Sequence, residues 1–81
     1  MPKLQQLFGK RLRQIRMNKK MTQDDLARIT SLSSSFISTL ERGVNAPSFS
    51  ALEAIANALD VEVRVLFDFR PVNNAFEHLN Q

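Results

Sequence analysis

The sequence predicts an all-α domain, a compact bundle of five helices in which the second and third form a helix, a tight turn and a helix. Three observations predict it. Met21 to Gly43, MTQDDLARITSLSSSFISTLERG, holds two short helix signatures, each opened by a capping residue. Leu4 to Lys19 and Ser48 to Leu59 carry apolar residues at helical spacing. Only two Gly and three Pro leave little room for long loops or linkers, and no internal repeat is present.

Leu4, Leu7 or Phe8, Leu12 and Ile15 make one apolar stripe, so the first helix runs from Leu4 to about Lys19. Lys10, Arg13 and Met17 fall elsewhere on its wheel and leave a cationic face. Gly9 inside the pattern costs about 1 kcal/mol relative to Ala and is best explained by close helix packing. Lys19 and Lys20 suit the negative end of the helix dipole.

Thr22 caps the second helix, Gln23 to Thr30. Asp25 sits at the third position to complete a capping box, with Met21 and Leu26 at staple positions. Leu26, Ala27 and Ile29 are directed inward. Ala27 is small where two helices must cross closely. Ser33 caps the third helix, Ser34 to about Arg42, with Leu32 and Ile37 as its staple and Gly43 placed to end it in a left-handed conformation. That helix buries Ile37 and Leu40 and exposes Ser34, Ser35, Ser38 and Thr39. An ordinary helical hairpin would carry the same local signature as a DNA-binding one.

Val44 to Pro47 connects to a fourth helix capped by Ser48, with Leu52, Ile55, Ala56 and Leu59 inward, ending near Asp60. Val61, Val63, Val65, Phe67 and Phe69 then alternate with Glu62, Arg64, Leu66, Asp68 and Arg70, a strand pattern. The same segment reads as a short fifth helix over residues 62–67, with Val63, Leu66 and Phe67 on one face. The helix is the expectation, and Pro71 ends either element. Residues 1–70 form the domain, with 60–70 as its dimerisation segment. Residues 71–81 form a C-terminal tail, where Ala75, Phe76 and Leu79 offer the apolar contacts of one or two helical turns.

Eighty-one residues fit one domain, and 43% hydrophobic with 23% charged residues places the chain among globular rather than disordered proteins. The absence of Cys removes disulfides, thiolate nucleophiles and Cys-based metal sites. No apolar run is long enough to span a membrane, and MPKLQQLFGKRL lacks the apolar core of a signal peptide. The net charge of +3 conceals an asymmetry. Residues 1–40 carry eight basic groups against Asp24 and Asp25, a balance of +6, whereas residues 41–81 balance at −3. A basic half that contains a helix-turn-helix candidate fits a polyanionic partner.

The run FGKRLRQIRMNKKMTQDDLARITSLSSSFISTLERG, followed by AP-S-x-x-x-L-x-x-I-A-x-A-L and V-x-V-x-x-LF, resembles the Cro/cI-type (XRE-like) phage repressor domain. In outline it is similar to the small controller proteins of restriction–modification systems. The resemblance spans Phe8 to Phe67 and implies a lambda-repressor-like fold. It further implies a sequence-specific regulator of transcription that binds double-stranded DNA in the cytoplasm. Ser34, Ser35, Ser38 and Thr39 would face base edges, while Gln23, Arg42 and Asn45 would meet phosphates. Arg16 and Glu41 match positions that form a partly buried ion pair. The family pairs about a two-fold axis on palindromic operators, which implies a homodimer through Val61, Val63, Val65, Phe67 and Phe69. No cofactor, metal, membrane or small-molecule ligand is implied.

Two departures from the family pattern stand out. Ser31 occupies a turn position where Gly is usual. The base-facing side has no Arg, Gln or Asn for bidentate contacts, each worth roughly 1–3 kcal/mol of discrimination, so sequence choice is expected to lean on DNA shape and flanking backbone contacts. An enzyme is a poor rival: His78 is alone in the tail, and capping and the helix dipole explain Asp24 and Asp25. A helical protein-interaction module, such as an antitoxin-like subunit, is the stronger alternative.

Overall fold

Local capping chemistry sets the helix starts in a computed structural model that describes residues 3–70. The expectations for the tail, including Ala75, Phe76, His78 and Leu79, lie outside the described residues. The chain forms α1 (Leu4–Asn18), α2 (Gln23–Thr30), α3 (Ser34–Glu41) and α4 (Phe49–Leu59), then a 3-10 helix (Val63–Phe67). The Thr22 hydroxyl accepts from the Asp25 N–H at 3.0 Å, and the Asp25 carboxylate accepts from the Thr22 N–H at 2.9 Å. Ser33 and Ser48 cap α3 and α4 by accepting from the N–H groups of Phe36 and Ala51. Each cap satisfies an amide that the helix itself leaves unpaired.

The helix ends share a device. All four α-helices stop on a residue with left-handed backbone: Lys20 (φ 59°), Ser31 (φ 63°), Gly43 (φ 75°) and Asp60 (φ 56°). Three of these stops close by the paired Schellman bonds, among them Met21 N–H to the Arg16 carbonyl (3.1 Å), Val44 N–H to that of Thr39 (3.0 Å) and Val61 N–H to that of Ala56 (3.0 Å). Only one of the four is glycine, so three carry the steric cost of a Cβ in that region. Ser31 does take the positive φ that its turn position demands.

Phe8, Leu12, Ile15, Leu26, Ala27, Ile37, Leu40, Leu52, Ile55, Ala56, Leu59 and Leu66 form a single core. The staple residues Met21 and Leu32 pack against it, as does Phe36. Two apolar residues expected inside are not there: Leu4 is 61% exposed and Ile29 53%. Leu4 opens α1, and Ile29 lies near the end of α2. Periodicity fixes the axis of an apolar stripe but not how far along or around it a neighbouring helix reaches.

The fifth element is shorter and tighter than an α-helix, leaving four α-helices and one 3-10 helix, with no strand among the described residues. Leu66 is fully buried, Val61, Val65 and Phe67 pack against the core, and the Phe67 ring lies 5.3 Å from that of Phe8. Val63, grouped inward by the sequence pattern, is 39% exposed at the first turn. Arg11 of α1 donates its Nε–H to the Val65 carbonyl at 2.9 Å. That bond is the carbonyl's second, beside the one it accepts from the Asp68 N–H, and ties the short helix to the first.

Candidate nucleic-acid interface

The position of α3 is set from behind by α1. A Cβ at Gly9 would come within 2.7 Å of the Glu41 carbonyl oxygen and closer still to that of Leu40. A Cβ at Gly43 would come within 2.9 Å of Gln6 Cα. Both glycines therefore mark places where α1 lies directly on the end of α3. The Gln5 side-chain amide adds a bond to the Gly43 carbonyl at 2.9 Å. Further along, Arg16 Nε and Nη2 donate to Glu41 Oε2 and Oε1 at 2.6 and 3.0 Å. The side chains of this pair are only 9% and 4% exposed.

The pair is part of a small network. Arg16 Nη1 donates to the Met21 carbonyl at 2.7 Å, and Gln23 Nε2 donates to Glu41 Oε1 at 3.1 Å. No buried side-chain nitrogen or oxygen among the described residues lacks a partner. The Glu41 hydrogen bond raises the Arg16 pKa above its ordinary value against the opposing effect of burial, so the guanidinium stays charged. Ends of α1, α2 and α3 are thus joined at one charged junction. Removal of either charge would strand the other in a site with little water.

The opposite side of α3 is polar and open. Helical spacing brings Ser34, Ser35, Ser38 and Thr39 onto one face. Ser35 is exposed and the other three are half-buried. Each of those three is engaged. The Ser34 hydroxyl donates to Asp24 Oδ1. The Thr39 hydroxyl donates to the Phe36 carbonyl at 2.8 Å and accepts from Asn45 Nδ2 at 3.2 Å. Ser38 Oγ accepts from Arg42 Nε at 3.4 Å. Arg42 and Asn45 thereby join the hydroxyl face, whereas Gln23 is drawn toward the ion pair with one amide hydrogen committed.

Around this face lie groups suited to an anion. An open groove between the end of α1 and the start of α2 is lined by residues that include Lys20, Thr22 and Gln23, together with the already paired Arg16 and the acidic Asp24. It meets the N-terminus of α2, whose unpaired amides carry partial positive charge. Asp24 was not singled out from the sequence as a site residue. Its position in the first turn of α2 accounts for it locally, and nothing in the chain order signals its bond to Ser34, ten positions away. Phe49, 86% exposed as the first residue of α4, was also passed over.

The candidate dimer residues separate on inspection. Val61, Val65 and Phe67 are half-buried against the core, and Phe69 packs edge-on to Phe67 with centroids 6.2 Å apart. Val63 is the exposed member.

Comparison with known proteins places this geometry. Residues 12–66 match a family described as helix-turn-helix. The chain is 41% identical over 69 residues to the control protein C.BamHI of Bacillus amyloliquefaciens, covering 84% of this chain and 85% of that protein. It is 41% identical over 58 residues to the immunity repressor protein of Bacillus phage phi105, an alignment spanning 72% of this chain and 40% of the repressor. Among solved structures, the restriction-modification controller protein C.AhdI of Aeromonas hydrophila superposes with a TM-score of 0.76 at 38% identity. That match covers 78% of this chain and 96% of the controller.

Proposed function

From the premise that this chain belongs to the helix-turn-helix family, we propose that it is a cytoplasmic transcriptional regulator that binds double-stranded DNA as a homodimer on a palindromic operator. Its narrower role is to control the genes of a restriction–modification system, a reading supported by the 41% identity to C.BamHI over most of both chains. The observation that carries the DNA reading is the mounting of α3. Its back is fixed by α1 and the Arg16–Glu41 pair, while its front is a row of hydroxyls, with Ser35 exposed and Ser34, Ser38 and Thr39 half-buried.

In this reading Ser34, Ser35, Ser38 and Thr39 meet base edges in the major groove. Arg42 and Asn45 meet backbone beside them. Gln23 meets a phosphate through its main-chain N–H and its second amide hydrogen, the first being held by Glu41. Val61, Val63, Val65, Phe67 and Phe69 form the two-fold contact, with Val63 and the outer faces of the half-buried members as its surface.

Selection of bound duplexes from a random pool tests all of this at once. The expected product is a palindrome with half-sites about one helical turn, ~34 Å, apart. Affinity for random duplex is expected to fall steeply with salt, by about 0.9 in log–log slope for each phosphate neutralised. Flat or absent binding would instead favour a protein-interaction module.

A further inference from the structure

Serine hydroxyls on a base-facing helix share a weakness: each can donate or accept, so alone it distinguishes base edges poorly. Ser34 escapes that ambivalence because its hydrogen is already committed to Asp24 Oδ1 in the first turn of α2. Resting on the reading of α3 as the base-facing helix, we propose that Asp24 fixes Ser34 as a hydrogen-bond acceptor. This position of the DNA site therefore selects a base that offers an amine in the major groove, cytosine first and adenine second.

The argument is one of polarity. A carboxylate can only accept, so the Ser34 hydrogen has no better place than Asp24. Turning that hydrogen toward a base acceptor would set the lone pairs of Oγ against those of the carboxylate. Guanine presents N7 and O6 in the major groove and thymine presents O4, all acceptors. Either would face lone pairs backed by a negative charge. Cytosine presents only its N4 amine there, and adenine presents its N6 amine beside N7. Ser34 is the first residue of α3, the end of a recognition helix that reaches base edges.

Thr39 has the same polarity by a different route. Its hydrogen goes to the Phe36 carbonyl and one lone pair to Asn45, so what remains accepts. Ser38 accepts from Arg42 and keeps its donor. Ser35 has no side-chain partner among the described residues. The row of four hydroxyls is thus not uniform, and Asp24 is the specificity-determining residue that sets the polarity of its first member.

The test begins with the full chain and the duplex it selects. The base facing Ser34 is the one whose preference relaxes in Ser34→Ala, and it is expected to be cytosine or adenine. Replacing it with N4-methylcytosine or N6-methyladenine removes the major-groove hydrogen and leaves pairing intact. Wild-type binding is expected to weaken about fivefold, the worth of one hydrogen bond. Asp24→Ala is expected to change less than twofold on the same replacement, yet to bind random duplex more tightly because a negative charge is gone. The double variant should lose no more discrimination than either single one, since the two residues act as a unit. Unaltered wild-type binding to the methylated site, or an Asp24→Ala variant with undiminished preference, overturns the proposal alone. Failure of the folded chain to select any duplex overturns the regulator reading and this proposal together.

Discussion

The two sides of α3 are built on opposite principles. Its back meets α1 through two glycines and a bidentate ion pair, with no space for an added methyl. Its front carries short hydroxyls, the half-buried Phe36 and, at the end of the helix, Arg42. The back is over-determined: sterics, charge and hydrogen bonds all demand one position. The front is under-determined, because a change there alters which partners it suits and hardly alters the fold. A helix held rigidly from behind can afford a variable front. The ion pair is therefore best understood as setting where the hydroxyls stand.

Breaking the back should give the largest effects. Glu41→Ala leaves the Arg16 guanidinium buried without its carboxylate and removes the partner of Gln23. The expected loss is about 3–5 kcal/mol by urea unfolding, a large share of the stability of a domain this size. Pairing Arg16→Met with Glu41→Leu should recover most of that loss, because it removes both charges together. Gly9→Ala comes next at about 2 kcal/mol, since its methyl would meet main-chain carbonyls that cannot rotate away. DNA affinity should fall with it as α1 is pushed off α3.

Changes to the front should separate binding from stability. Ser35→Ala is expected to shift unfolding by less than about 0.5 kcal/mol while weakening operator binding about fivefold. Arg42→Gln should also leave the unfolding curve in place and reduce the salt slope of DNA binding by about 0.9 per protomer. A front variant that destabilises the fold as much as Gly9→Ala would erase the distinction between the two sides.

The smallest effect concerns acid. The Thr22 N–H, then the Thr22 hydroxyl and Arg28, hold the Asp25 carboxyl below its ordinary pKa. A carboxyl depressed on folding stabilises the protein fully above its unfolded value, ~3.9, and loses that contribution as pH falls from there toward the folded value. Asp25→Asn should therefore flatten the acid limb of the melting temperature against pH and leave the neutral plateau slightly lower.

The helix starts were legible in the sequence because a capping box is a local object: Thr22, Asp25, Met21 and Leu26 lie within six positions. The core followed from the same periodicity, and Gly9 was rightly traced to close packing. What stayed hidden depends on contacts between distant elements. The alternation from Val61 to Phe69 could not decide between strand and helix. The choice is made by Leu66 in the core and by Arg11 reaching the Val65 carbonyl, 54 positions away. Leu4 and Ile29 look like core residues until the reach of the neighbouring helices is known. The hydroxyl face was visible as composition, but its polarity was not, because Asp24 belongs to one helix and Ser34 to the next.

The left-handed helix stops leave this chain with stability in reserve. Lys20, Ser31 and Asp60 each hold a Cβ where only glycine sits without strain, at roughly 1 kcal/mol apiece. Asp60→Gly is the cleanest case, since it lies at the end of α4, far in sequence from the hydroxyl row, and should raise the thermal midpoint by several degrees. A hardier version of the domain is thus within reach by subtraction, removing side chains at its corners and adding nothing to its core.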